Sequence, residues 1–429
     1  MASERLAYKV DSGTERRSCP VTTESGFATL VTAARRDGHV TRRLFGTLCG
    51  LVFLVNLGRV GFAPLVPTIS AEFAASTAVV GSVTTLVWVG SALPRIPVGY
   101  LLTRVPRHHV VLGSGVALAV AAVFTGSADS VRALQTGALF LGLASGAYFV
   151  AAVPLIAELF PSARGRAIGI HGTASQLAAV VAPGVVVAVL LVAGWGAVFH
   201  LLAVGAVVVT AILFVVIRRN PLPESAGADR DFRSALAYWP LVLVGVAVVA
   251  TPGFVWQGVF NFYVTYLVGV KGVSEGVANA LLTVIFAAGL PAFWFGGRLA
   301  DRLPHVPYLL GIMVSFAAAL LVLVVAEGFV ALVAVTVLLG LVIHAMFPAI
   351  DTFMLESLPA DNRASVYAVF SGIAMFLEAT GSGAIGFAAE RASFDAAFSV
   401  GAVGIVVVAV VLGAIHTAGR LPGGKQSTE

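Results

Sequence analysis

The amino-acid sequence predicts an all-α membrane protein, twelve transmembrane helices arranged as two pseudo-symmetric six-helix bundles. Three observations predict it. Hydrophobic residues fill 59% of the 429 positions and charged ones 11%, against roughly 45–50% and about 25% in soluble domains. Twelve apolar runs each approach the roughly 20 residues a helix needs to cross a hydrocarbon layer of about 30 Å. Shifting the chain by 198 positions places Gly99 on Gly297, Arg104 on Arg302, Glu158 on Glu356 and Pro161 on Pro359 without a gap, the mark of a duplicated unit.

Residues 1–43 are polar and basic, with Arg16, Arg17, Arg35, Arg36, Arg42 and Arg43. They lack the short apolar stretch and cleavage site of a signal peptide and read as a disordered cytoplasmic tail. Its basic end either lies against anionic lipid or serves as a topology signal. The first bundle, 44–217, holds the runs Leu44–Ile69, Ala78–Thr103, Val110–Ser127, Ala133–Leu159, Ala167–Val192 and Ala197–Ile217. The longest polar interval follows, a cytoplasmic linker at 218–239 with Pro221, Pro223 and Gly227. The second bundle, 240–417, holds Pro240–Tyr266, Val277–Ala300, Pro307–Ala326, Val330–Leu355, Ser365–Ala388 and Ala397–Ala414, before a short tail at 418–429. Prolines inside the first, second, fifth and tenth helices supply bends that neighbouring helices tolerate.

The net charge of +5 is explained by position rather than by a nucleic-acid partner. Of the 26 lysines and arginines, 21 fall on the side of the termini, and only Arg132, Lys271 and Arg391 in the opposite loops. Such a positive-inside bias predicts a multi-pass protein of the plasma membrane with both termini cytoplasmic. Cys19 and Cys49 form neither a disulfide framework nor a metal motif, and no cofactor is expected. Gly381-Ser-Gly383-Ala-Ile-Gly386 fits a dinucleotide pattern but lies in an apolar helix with no preceding strand, so close helix packing explains it.

Two six-helix repeats joined by a linker are how alternating-access carriers are built, with the binding site at the midplane between repeats. The stretch Gly99-Tyr-Leu-Leu-Thr103-Arg104-Val-Pro106-Arg107 and its partner Gly297-Arg298-Leu-Ala-Asp301-Arg302 resemble the loop motif between helices 2 and 3, and 8 and 9, of the major facilitator superfamily. The first copy has Thr103 where the family has aspartate. Gly142-x-x-x-Gly146 in helix 4, Gly194-Trp195 before helix 6, and Glu356 followed by Arg363 extend the resemblance to helices 1–12. Small residues four apart let helices approach closely. The resemblance implies a cytoplasmic gate of Gly99, Arg104, Gly297, Asp301, Arg302, Glu356 and Arg363, in which a glutamate at a helix end faces loop arginines.

Four charged side chains fall well inside helices: Arg59, Arg95, Asp351 and Glu378. An ion at the bilayer centre costs at least roughly 2.5–3.5 kcal/mol, so such residues face a cavity or a partner. Because the four sum to zero, one reading is two structural ion pairs. The other reading is a binding site. Arg59, near the midplane of helix 1 with Asn56 one turn away, suits a carboxylate or phosphate, and the surrounding segment resembles helix 1 of organic-anion carriers. Arg95, in Leu93-Pro94-Arg95-Ile96-Pro97, is similar to the helix 2 arginine of nitrate porters, although Phe293 stands at the symmetry-related position. Gln257 and Asn261 share a face of helix 7 and would complete the cavity. Trp256, Tyr263 and Tyr266 either line it or anchor the interface.

Glu378 lies at a depth suited to proton exchange, or forms a permanent salt bridge with an arginine such as Arg59. His344 is a second proton-coupling candidate because histidine titrates near neutrality, and His171 a third; each is otherwise a packed neutral ring. Asp351 reads as a gate or helix-end residue. The expected function is therefore secondary transport of a small solute, an organic or inorganic anion, with protons, substrate and bilayer as partners, the chain acting as a monomer and not as an enzyme. A proton-driven exporter of hydrophobic compounds is the first alternative, though helix 5 keeps only Ala178-x-x-x-Ala182-Pro183 of the exporter pattern. A non-transporting sensor or lipid scramblase is the second.

Overall fold

A computed structural model describes residues 24–102, 104–160, 164–219, 237–358 and 363–422. By its internal contacts the chain divides into Met1–Arg43 and Leu44–Glu429. In the first unit the backbone is helical from Glu24, where the sequence suggests disorder; residues 1–23 of that expected tail lie outside the described residues. Most of the expected linker, 220–236, and the end of the C-terminal tail, 423–429, lie outside them as well.

Twelve helices among the described residues are long and apolar enough to span a membrane: Arg42–Glu72, Thr77–Leu101, Arg107–Gly126, Val131–Leu159, Ala167–Leu190, Gly196–Arg218, Trp239–Gly269, Glu275–Ala300, His305–Val325, Phe329–Ser357, Val366–Arg391 and Phe394–Thr417. Each overlaps one predicted run, with ends that agree to within a few residues. The sixth and twelfth have mean hydropathies of 2.8 and 2.7 and bury only 28% of their most apolar stretch, whereas the first, at 1.7, buries 78%. Lipid is as good a solvent for leucine and valine as a protein core is, so spans 6 and 12 can leave most of their apolar surface unburied by protein.

Twelve successive crossings put the start of the first span and the end of the last on one side, the terminus side; the other is the far side. Even-numbered spans begin on the far side, and four of them open on a serine. Ser76, Ser130, Ser274 and Ser393 each accept a hydrogen bond from the backbone N–H three residues on, satisfying an otherwise unpaired helix-start donor. Ser76 and Ser274 stand 198 positions apart, so the repeat extends to helix capping.

Three spans are interrupted. The first divides at Gly61 into Glu24–Val60 and Phe62–Glu72, where Pro64 has no N–H to offer the Val60 carbonyl. The second divides at Leu93-Pro94 into Thr77–Ala92 and Arg95–Leu101, and the eleventh at Thr380 into Arg363–Ala379 and Gly381–Arg391. Broken helices at membrane depth are tolerated where they border protein or a cavity, and all three do so here.

Within the first bundle the glycine pattern of span 4 acts as expected: a Cβ on Gly142 would overlap the Val87 carbonyl oxygen of span 2. Between the bundles, spans 2 and 11 meet on the far side. The Gly383 N–H donates to Thr85 Oγ1 at 2.9 Å and the Ala78 N–H to Glu390 Oε2 at 3.2 Å. A Cβ on Gly81 would stand 2.8 Å from the Ser382 carbonyl oxygen. These hydrogen bonds and the close approach at Gly81 seal the halves on the far side. Nearer the terminus side Arg95 Nη1 donates to Ser371 Oγ across the same two spans.

Candidate binding site between the bundles

The interrupted spans enclose a cavity of about 440 Å³ bounded by both bundles. From the first come Asn56, Arg59, Trp88, Arg95, Phe149 and Gln176; the second contributes Trp256, Gln257, Phe260, Phe286, His344 and Glu378 among others. Four of the five predicted binding residues therefore converge: Arg59, Asn56, Arg95 and Gln257. So do both proton-coupling candidates, Glu378 and His344, with Asp351.

Arg59 is 7% exposed. Its Nη2 donates to Asn56 Oδ1 at 2.6 Å, and Asn56 Nδ2 in turn donates to the Ser175 carbonyl at 2.7 Å. Asn56 thus points its acceptor at the arginine and its donor at span 5. The guanidinium carbon lies 4.6 Å from the Trp88 ring and 4.7 Å from that of Phe149, where the negative ring faces offset part of the lost hydration. Its Nε is buried without a hydrogen-bond partner.

No carboxylate lies within ion-pair distance of Arg59. Among the described residues the contacts of a carboxylate with a basic side chain within 4.0 Å are Arg107–Glu158 and His305–Glu356, the latter an ion pair only with a protonated imidazole, and neither is in the cavity. The two intramembrane pairs that a zero charge sum allows do not form here. Arg59's electrostatic neighbour is Arg95, whereas Arg95's include Glu378 and Asp351. Arg95 Nη1 donates to Ser371 Oγ across the bundle interface at 2.9 Å, and Asp351 Oδ1 accepts from the Tyr367 hydroxyl at 2.5 Å. Arg95 follows Trp88 by seven positions, across the break at Leu93-Pro94, and so lies nearer the terminus side.

His344 donates through Nδ1 to the Gly340 carbonyl at 2.7 Å, which leaves Nε2 as the acceptor of a neutral ring. Gln176 Nε2 sits 3.3 Å from that nitrogen and 3.0 Å from the Phe286 carbonyl, bridging span 5 to spans 8 and 10. The rings of Trp256, Phe286, Phe293 and Phe347 surround the imidazole at 5.8 to 6.2 Å.

Several expectations need correction. Asn261 does not reach the cavity. It is fully buried behind Gln257, its Nδ2 donating to the Gln257 carbonyl and to Ser382 Oγ, both at 2.8 Å, because four residues of helix advance it one turn towards the sealed side. Of the three aromatic candidates in span 7 only Trp256 lines the site. Tyr263 and Tyr266 are buried in the second bundle, hydrogen-bonded to Thr336 and Asp395, neither lining nor anchoring. His171 lies outside the cavity in a buried cluster with Tyr148, 2.8 Å away.

The terminus-side residues form a different set of contacts from those expected. Glu356 pairs with His305 at 3.1 Å rather than with Arg302, and Glu158 pairs with Arg107. The two pairs are 198 positions apart, and the second repeat carries histidine where the first has arginine. Each lies within its own bundle, tying the first residue of one span to the last turn of the next, and neither crosses between bundles. Arg104 donates to the Tyr100 hydroxyl at 2.6 Å; Asp301 and Arg302 are exposed, Gly99 is buried and Gly297 half-buried. The side chain of Arg363 lies outside the described residues.

Sequence reasoning missed Trp88, Phe149, Phe286, Phe347 and Gln176. The repeat carried a signal for the first four: the 198-residue shift places Trp88 on Phe286 and Phe149 on Phe347. Among the described residues no cluster of His, Cys, Asp and Glu could hold a metal ion.

Comparison with known proteins agrees with this architecture. The family model described as Major Facilitator Superfamily matches residues 48–371 and 272–426. A probable sulfoacetate transporter of Cupriavidus necator is 24% identical over 278 residues, 61% of this chain and 65% of that protein. An uncharacterized MFS-type transporter of Mycobacterium tuberculosis is 29% identical over 167 residues, 39% of this chain and 22% of its own length. The chain thus spans less than two thirds of these relatives. Among solved structures, a bacterial homolog of the human lysosomal transporter Spinster, inward-facing and occupied, superposes with a TM-score of 0.70 at 20% identity, covering 88% of this chain and 96% of that one. A D-xylose–proton symporter gives 0.69 at 16% identity, over 87% and 96%.

Proposed function

The chain belongs to the Major Facilitator Superfamily, a family of membrane transporters rather than enzymes, and on that premise we propose that it carries a small organic anion by alternating access, coupled to protons. The reading rests on one observation: a buried guanidinium, Arg59, held between the bundles with no carboxylate in ion-pair range. A desolvated cation without a counterion is costly, and an anionic ligand would remove that cost. The name of the Cupriavidus relative, a probable sulfoacetate transporter, also speaks for an anion.

Arg59 and Asn56 bind the anionic group, and Arg95 and Gln257 border it. Glu378 exchanges the proton, with His344 the second candidate. Gly99, Arg104, Gly297, Asp301, Arg302, Glu356 and Arg363 shape the terminus-side gate, cytoplasmic in this reading, in a monomer of the plasma membrane whose halves are 44–217 and 240–417. Asn261 acts only by holding Gln257 in place.

Reconstituted protein tests this with small carboxylates inside and outside liposomes, with and without a pH gradient. Uptake driven by an inward proton gradient and abolished by Arg59→Ala is expected; undiminished anion flux in Arg59→Ala overturns the assignment. A second reading, export of hydrophobic compounds, draws on the aromatic lining. It predicts dye efflux that tolerates Arg59→Ala.

A further inference from the structure

We propose that the anion is singly charged and carries a flat apolar body, an aromatic monocarboxylate, held head-first on Arg59 with its ring against the second bundle. This rests on the anion reading of Arg59 and adds the class of substrate. Trp256, Phe260 and Phe286 form a continuous aromatic wall, with centroids 5.5, 5.8 and 6.2 Å apart. Phe293 and Phe347, stacked at 5.9 Å, continue it towards the terminus side. All five line the cavity, and the Trp88–Phe260 contact at 6.1 Å joins the wall to the rings beside Arg59. Aromatic rings favour offset or edge-on neighbours at these spacings, so a flat ring added to the array finds partners that a methyl group does not.

Charge fixes the number of anionic groups. The lining carries two arginines and two carboxylates, but these are not evenly placed. Glu378 and Asp351 are electrostatic neighbours of Arg95, and Arg59 has neither among its own. One negative charge therefore has a cation to itself at Arg59. A second, on the same ligand, would be directed at Arg95, whose Nη1 is already bonded to Ser371 and which has Glu378 and Asp351 as electrostatic neighbours, although its Nε, like that of Arg59, has no hydrogen-bond partner. The cavity volume, about 440 Å³, falls in the range of small-molecule sites, roughly 300–1,000 Å³, and exceeds what a two-carbon acid would fill.

Isothermal titration of the purified full-length protein with benzoate, acetate, sulfoacetate and benzyl alcohol, each alone, tests the class. Benzoate should bind about tenfold or more tightly than the other three, the margin expected when one ring gains several aromatic contacts. Phe286→Leu, which keeps an apolar side chain, should weaken benzoate about fivefold more than it weakens acetate, with a retained cooperative melting transition reporting that the variant is folded; Phe347→Leu is the second such variant. Acetate or sulfoacetate binding as tightly as benzoate overturns the aromatic monoanion while leaving the anion site standing. Equal binding of benzyl alcohol, or benzoate binding untouched by Arg59→Ala, overturns the anion site itself.

Discussion

Adding one methyl group at Gly81 should reset the balance between the two faces of the carrier. In the far-side-closed state a Cβ at this position stands 2.8 Å from the Ser382 carbonyl oxygen, 3.2 Å from Phe262 Cζ and 3.3 Å from Gly383 Cα. Ordinary contact begins near 3.4 Å, so spans 2 and 11 must separate by about half an ångström. That loosens the Gly383–Thr85 hydrogen bond one turn further along. Overpacking of this kind costs about 1–3 kcal/mol. If the seam opens in the alternate state, the cost falls on one state alone and shifts the equilibrium about 5- to 150-fold towards far-side opening. Spin labels at Asp129→Cys and Glu327→Cys, exposed far-side positions 198 residues apart, would report the shift by pulsed electron resonance with Cys19 and Cys49 replaced by serine. Gly142→Ala is the control: its Cβ would overlap Val87 within one bundle, so it should lower the melting temperature without changing the distance distribution. A Gly81→Ala protein with the parent's distances, or with shorter ones, would refute the assignment of this seam as the far-side gate.

Three further outcomes follow from the cavity and its margins. Arg59→Leu should abolish anion binding yet leave the melting temperature in detergent equal to or above the parent's, because it removes an uncompensated buried charge; a clear loss of stability would mean that the rings of Trp88 and Phe149 balance the guanidinium fully. Glu378→Gln should keep exchange of labelled benzoate across liposomes, with accumulation driven by a pH gradient lost; retained accumulation assigns the proton to another group. Glu356→Gln removes a half-exposed partner of His305 and should cost no more than about 1 kcal/mol, read as a shift of a few degrees or less in melting temperature.

Span count and the two-repeat plan were legible because lipid imposes them: apolar length, one-sided basic loops and a fixed offset are one-dimensional features. The cavity was legible only where a residue is costly in lipid without a partner. Arg59, Arg95, Asp351 and Glu378 stand out for that reason, and all four line it. Their partners are three-dimensional. Nothing in the order of residues says that Arg95 meets Ser371, 276 positions away, or that Arg59 lies against two rings instead of a carboxylate. Asn261 misled because i and i+4 share a helix face but differ by a full turn in depth. The aromatic wall was hidden because phenylalanine and tryptophan are unremarkable in apolar spans.

The repeat offset also separates what the two bundles share from what they do not. The helix-start serines Ser76 and Ser274, the helix-end pairs Arg107–Glu158 and His305–Glu356, and the ring pairs Trp88/Phe286 and Phe149/Phe347 occupy equivalent positions. The charges do not: Arg59 corresponds to Gln257, Arg95 to Phe293, Asp351 to Val153 and Glu378 to Val180. Framework and aromatic lining thus follow the duplication, while the first bundle alone carries the cavity's arginines and the second alone its carboxylates. A ligand that needs a cation at one end and rings at the other fits such an asymmetric pair, and it has one orientation in which both bundles hold it. Because each bundle then keeps its own part of the contact, separation of the halves on either side would weaken binding without first turning the ligand over.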